Sequence, residues 1–179
     1  AAIHAAFAAA RQRGVTTVYD PMLHRGVWPE GAPQAPRAAF EELLPLTDLL
    51  VISAPFATGQ LLQRANPTEA ANVAQRRGLS QVVIRHGRRG CVVVDRDGVS
   101  EITAPTTGSA RTTPLGEAVF NGALMSAMMA GESLADAARA ALRCADVIVD
   151  APDTVANLPP ARALTAALCD EAPEVPPAP

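Results

Sequence analysis

The sequence predicts an α/β fold on a mainly parallel sheet, with an antiparallel hairpin at one edge. Three observations carry this. Residues 15–19, 48–53 and 81–85 are short, apolar and rich in Val, Ile and Leu, and so read as buried strands. Stretches with helix start and stop signals separate them, which is the alternation of a parallel layered sheet. Residues 91–95 and 99–104 then flank Asp97-Gly98, a hairpin signal that returns the chain antiparallel.

The elements follow in order. Residues 1–13 read as a helix with Ile3 and Phe7 one turn apart, stopped by Gly14. The first strand, residues 15–19, ends at Asp20-Pro21. A helix is predicted over residues 36–44, and a short one around Leu61 and Leu62. Asn66-Pro67-Thr68-Glu69 opens the clearest helix. Asn66 caps, Pro67 suits the first turn, and Glu69 stands at the capping-box position. That helix runs to Arg77 and stops at Gly78. Helices over residues 115–130 and 134–149 follow, the second capped by Ser133, and a short one over 160–168. Residues 171–179 are Pro-rich and expected to be disordered.

Composition narrows the chemistry. The 179 residues are 49% hydrophobic, enough for a core, but only 3% aromatic, so Ala, Val and Leu must fill it. The net charge of -3 leaves no basic footprint for nucleic acid. Every basic side chain other than His is Arg, which excludes Schiff-base lysines and the P-loop lysine. Cys91, Cys144 and Cys169 are widely spaced and expected to be reduced thiols of a cytoplasmic protein. No apolar run is long enough for a membrane helix. No His has a second ligand at useful spacing, so no protein-held metal site is expected. The chain starts without Met, inside a helix, and is expected to be a fragment or a chain whose first half was lost.

Ligands of parallel sheets bind beyond the carboxyl ends of the strands. Asp20, Ser53 and Arg85-His86-Gly87 all stand at strand ends, so they are expected on one rim. The loop ending at Glu117 is expected to reach the same rim.

Four segments carry a resemblance. They are Asp20-Pro21-Met22 followed by Arg25 and Trp28, and Ser53-Ala54-Pro55-Phe56 after a strand. Arg85-His86-Gly87-Arg88-Arg89-Gly90 comes next, then Thr112-Thr113-Pro114-Leu115-Gly116-Glu117-Ala118. In this order and spacing they resemble the PfkB family of carbohydrate kinases, the ribokinase type. That family carries Asp-Pro-Asn with Arg and Trp, then Asn-x-x-Glu, Thr-x-Gly-x-x-Gly and Thr-Thr-Gly-Ala-Gly-Asp-Ala. The resemblance covers residues 1–149, roughly the second half of a family member.

The resemblance implies a fragment of a ribokinase-like three-layer α/β/α fold over residues 1–150, then a terminal helical segment, 151–170, and the tail. It implies ATP and Mg²⁺, a small sugar or nucleoside as acceptor, and leaves a homodimer open. It places nucleotide contacts at Ser53, Arg85, Gly87 and Gly90, and an anion hole at Leu115 and Gly116. Glu117 takes the position of the catalytic Asp. Four departures stand out. Phe56 replaces the Glu that helps place Mg²⁺, which weakens that site. Arg85 replaces a Thr and is able to clamp phosphate. Pro114 has no N–H to offer, and Leu115 is bulky where the family is small. Read without the family, Thr113 caps an ordinary helix, Pro114 is its first residue and Glu117 favours its positive end.

Two functions remain in view. One is an ATP-dependent sugar or nucleoside kinase with Glu117 as base. The other is a degenerate pseudokinase, or a domain that binds nucleotide or sugar as a partner module. A dinucleotide-binding fold is excluded, because no Gly-x-Gly-x-x-Gly follows the first strand.

Overall fold

The computed structural model describes residues 2–23, 34–105, 113–148 and 158–169. The chain forms two compact units. The first comprises Ala1–His86 and Cys91–Glu101, the second Gly87–Gly90 and Ile102–Pro179. The predicted tail, Arg25, Trp28 and Thr112 lie outside the described residues.

The first unit is a five-stranded mixed sheet in sequential order: β1 (Val18–Tyr19), β2 (Leu49–Ser53), β3 (Gln81–Arg85), β4 (Cys91–Asp95) and β5 (Gly98–Ile102). β1, β2 and β3 are parallel, and β4 turns back antiparallel on β3. One sheet face carries Leu50, Ile52, Val82, Ile84, Val92 and Val94 into a core shared with α2 (Ala35–Leu43), α3 (Phe56–Leu61) and α4 (Pro67–Arg76). Leu49, Val51, Val83 and Val93, of opposite parity, are buried too. Burial on both faces explains why these strands read as unbroken apolar runs rather than alternating ones.

β1 is shorter than the predicted strand 15–19, for a local reason. The Thr17 backbone N–H donates to Asp48 Oδ2 at 2.8 Å, and its hydroxyl lies 2.6 Å from the Leu46 carbonyl. Side-chain bonding thus takes the Thr17 N–H that a ladder would use, while its carbonyl still accepts the Leu49 N–H at 3.0 Å. This knot ties the entry of β1 to the entry of β2. Burial pushes the Asp48 carboxyl up, but the Thr17 hydrogen bonds and the nearby Arg11 outweigh it and hold it below the usual carboxylate range.

Beyond the knot, Tyr19 packs edge-on against Phe7 of α1 (Ala2–Gln12) and tilted against Phe40 of α2, each with ring centroids 6.2 Å apart. Phe7 therefore anchors α1, while Ile3 is exposed. Burial, then the neighbouring Asp20 charge, pushes the Tyr19 hydroxyl up to about 12. The sign of the consequence is fixed. Above its ordinary value near 10 the unfolded chain loses this proton while the fold keeps it. Stability should therefore fall by about 1.4 kcal/mol per pH unit until the folded chain titrates as well. The chain has one Tyr and no Lys, but burial also pushes the Cys144 thiol up, so it adds to the slope at the lower end of this range. Urea unfolding followed from pH 9 to 12 should show the combined slope, and Tyr19→Phe should remove the part that sets in near pH 10.

α4 starts as expected, with the Glu69 N–H donating to Asn66 Oδ1 at 3.0 Å. α3 begins five residues before the Leu61 around which a helix was expected. The hairpin turn is Arg96-Asp97, one residue earlier than Asp97-Gly98 suggested. Gly98 is instead the first residue of β5, with φ 116°, a conformation that glycine adopts without strain.

The second unit holds α5 (Pro114–Met129), α6 (Leu134–Asp146) and α7 (Ala161–Leu168). α5 and α6 bury Phe120, Ala123, Leu124 and Ala127 on one side and Leu134, Ala137, Ala138 and Ala141 on the other. The Asp136 N–H donates to Ser133 Oγ at 3.1 Å, the predicted cap. Arg143 of α6 donates to the Ala167 and Leu168 carbonyls at 2.7 and 3.1 Å, closing the C-terminal end of α7. None of the three cysteines is in a disulfide, with Cys91 and Cys144 buried and Cys169 exposed. Among the described residues no helix is long and apolar enough to cross a membrane.

Candidate functional site

The carboxyl ends of β1, β2 and β3 bring three of the predicted rim residues together. Ser53 and Arg85 are register partners on adjacent parallel strands, so their side chains leave the sheet side by side. Arg85 Nε donates to Ser53 Oγ at 3.1 Å, and Arg85 Nη2 donates to Asp20 Oδ2 at 2.8 Å. The pair is buried, with side-chain exposures of 8% for Arg85 and 13% for Asp20. Asp20 Oδ1 also accepts the Met22 N–H at 3.1 Å. Met22 has φ 37°, so this short turn holds the carboxylate in place.

The reach matters. β1 and β3 are separated by β2, about 9–10 Å apart at the usual strand spacing. Only a long side chain can cross that gap, and Arg does so with planar, directional donors. The sequence reading aimed Arg85 at a phosphate and did not join it to Asp20. In the structure its guanidinium is bonded to Asp20 and Ser53. The signal was present: a charge at the end of two apolar strands, one of each sign.

Among the described residues of this unit, the position that the resemblance gives to Mg²⁺ placement offers no donor. Phe56, expected from the resemblance to stand in place of the family's Glu, opens α3 and is 63% exposed. The Ser53 hydroxyl already faces a guanidinium, which repels a second cation. Among the described residues no three His, Cys, Asp or Glu stand close enough to hold a metal ion.

In the second unit, residues Gly87–Arg89 form a single 3-10 turn, followed by Gly90. Gly87 and Gly90 both have positive φ, 53° and 95°. At Gly90 a Cβ would stand 1.9 Å from the Ile102 carbonyl oxygen and 2.7 Å from the Ala104 nitrogen. Backbone cannot yield as a flexible side chain can, so close chain approach by itself demands glycine here. Gly90→Ala is expected to cost about 2–3 kcal/mol, from the φ penalty plus overpacking. A lowered urea midpoint with unchanged slope would record it.

The loop before α5 is a capped helix start. The Gly116 N–H donates to Thr113 Oγ1 at 3.0 Å, and the Glu117 N–H donates to the Thr113 carbonyl at 3.0 Å. Pro114, first in the helix, has no N–H. The Gly116 N–H, expected in an anion hole, is thus given to Thr113, and an anion would have to take it from that hydroxyl. Glu117 lies in the first turn and is only 6% exposed. A buried carboxylate is uncommon, and a helix N-terminus is where its charge is best tolerated.

Comparison with known proteins follows the same line. The pfkB family of carbohydrate kinases matches residues 1–161. No curated protein matches the chain. Among solved structures, an aminoimidazole riboside kinase from Salmonella enterica, complexed with aminoimidazole riboside and an ATP analog, is 20% identical with a TM-score of 0.78. The match covers 93% of this chain and 57% of that one. A fructokinase from Vibrio cholerae O395, with fructose, ADP and calcium ion bound, is 22% identical at a TM-score of 0.75, covering 92% and 54%. A ribokinase from Thermotoga maritima is 18% identical at 0.70, covering 92% and 52%. The chain thus spans about half the length of these structures, and its mixed sheet with flanking helices has the ribokinase-like α/β fold. On the family match over 161 of its 179 residues, this chain belongs to the pfkB family of carbohydrate kinases.

Proposed function

We propose that the protein carrying this chain transfers a phosphoryl group from ATP to a hydroxyl of a sugar or nucleoside, with Glu117 as the general base. One observation carries the reading: Glu117 is a buried carboxylate in the first turn of α5, and the resemblance of residues 112–118 to the family's motif would put it in the place of the Asp. There it would take the hydroxyl proton as the oxygen attacks the terminal phosphorus and ADP departs. The positive end of α5 would favour the charge on the transferring group. The relatives support the ligand classes, since they hold a riboside with an ATP analog and fructose with ADP.

A second reading has its own support. Phe56 offers no ligand, Arg85 is already bonded to Asp20, and the Gly116 N–H is already given to Thr113. These favour a reduced member that binds a nucleotide or sugar without turnover. ADP release should be measured against a panel of ribose, fructose and ribonucleosides, with and without MgCl2. Turnover that disappears in Glu117→Gln supports transfer. Thermal stabilisation by ATP with no ADP release under any condition supports the second reading and defeats the first.

A further inference from the structure

We infer that the rim of the first unit binds nucleotide phosphates as the metal-free anion, with the Arg85 guanidinium supplying the fixed positive charge that a protein-held Mg²⁺ would otherwise give. This rests on the reading of the rim as a nucleotide site, and concerns binding rather than transfer.

The rim lacks a carboxylate at position 56, where an exposed phenyl ring stands instead. No metal-holding cluster exists among the described residues. It has a guanidinium at the end of β3, buried and aimed by two hydrogen bonds, 3.1 Å to Ser53 and 2.8 Å to Asp20. Arg is charged at any physiological pH and presents planar donors that match phosphate oxygens. A cation so placed also disfavours a second cation at Ser53. The charge is permanent and needs no loading from solution. Asp20 is its internal counter-ion, occupying the guanidinium while no ligand is there. The ligand's phosphate and the Asp20 carboxylate then compete for one guanidinium. Weakening Asp20 should tighten anion binding, a sign that a purely structural role for the pair does not give.

Calorimetric titration of the intact protein decides it, using ATP in EDTA, ATP with excess MgCl2, and inorganic tripolyphosphate in EDTA. ATP in EDTA is expected to bind within about threefold of Mg-ATP, and tripolyphosphate to compete with it. Arg85→Gln should weaken metal-free ATP by about tenfold or more. Asp20→Asn, which removes the charge and turns one of the two acceptor oxygens into a donor, should tighten it by about fivefold. Should Arg85→Gln fail to fold, Asp20→Asn decides alone. Binding at least about tenfold tighter with Mg²⁺, no binding in either form, or an Asp20→Asn affinity that is unchanged or weaker would overturn the inference. Mg²⁺-dependent binding accompanied by sugar phosphorylation sinks this inference and leaves the kinase reading intact. Metal-free binding without turnover does the reverse.

Discussion

Arg85→Met alone is expected to lower the unfolding free energy by about 3–5 kcal/mol, because it strands the Asp20 carboxylate in a buried place. Asp20→Ala should cost a similar amount by stranding the guanidinium. The double variant should be less destabilised than the sum of the two, since neither charge is then left alone. The magnitude applies undiscounted because the side chains are only 8% and 13% exposed, unlike the surface pair Arg139–Asp136 at 52% and 54%. Ser53 adds to the coupling, because its hydroxyl accepts from the same guanidinium at 3.1 Å. Urea unfolding of the four proteins gives the cycle. Additivity within about 0.5 kcal/mol would show that Arg85 and Asp20 do not act as a pair.

Glu117→Gln is the second large effect, expected on rate rather than stability. Gln keeps the shape of Glu and one acceptor oxygen but cannot accept the hydroxyl proton. Loss of a general base costs about 10²–10⁴-fold in kcat. The nucleotide KM should stay within about threefold, since the base acts on the acceptor. Glu117→Asp is the sharper probe. It retracts the carboxylate by one methylene, about 1.5 Å, enough to cost about a hundredfold in a site built around Glu. A kcat left unchanged in both variants, with the protein folded, would remove Glu117 from the chemistry. Full activity in Glu117→Asp with none in Glu117→Gln would show that a carboxylate is needed but that its reach is not.

What could be read from the sequence follows distance along the chain. Caps were legible because their partners are three residues apart. Asn66 with Glu69, Ser133 with Asp136 and Thr113 with Gly116 form the bonds that their spacing predicts. β2 and β3 were legible because strands buried on both faces are apolar without interruption. β1 was overextended because the Thr17 bonds to residues 46 and 48 have no local mark. The turn was misplaced by one because Asp97-Gly98 signals a hairpin without fixing which residue opens the next strand. Of the candidate site, the rim position of Asp20, Ser53 and Arg85 was legible from their places at strand ends. Their mutual bonding was not.

The sequence by itself therefore determined the α/β class, the starts of the side-chain-capped helices, the family and the identity of the unusual residues at its motifs. These depend on local geometry and on the order of segments. Only the tertiary structure decided what Arg85 does with its charge. Asp20 and Arg85 are 65 residues apart and meet because two parallel strands flank a third, a neighbourhood that no local propensity encodes. An ion pair's strength depends on distance and burial, and both are properties of the packed sheet rather than of the residues.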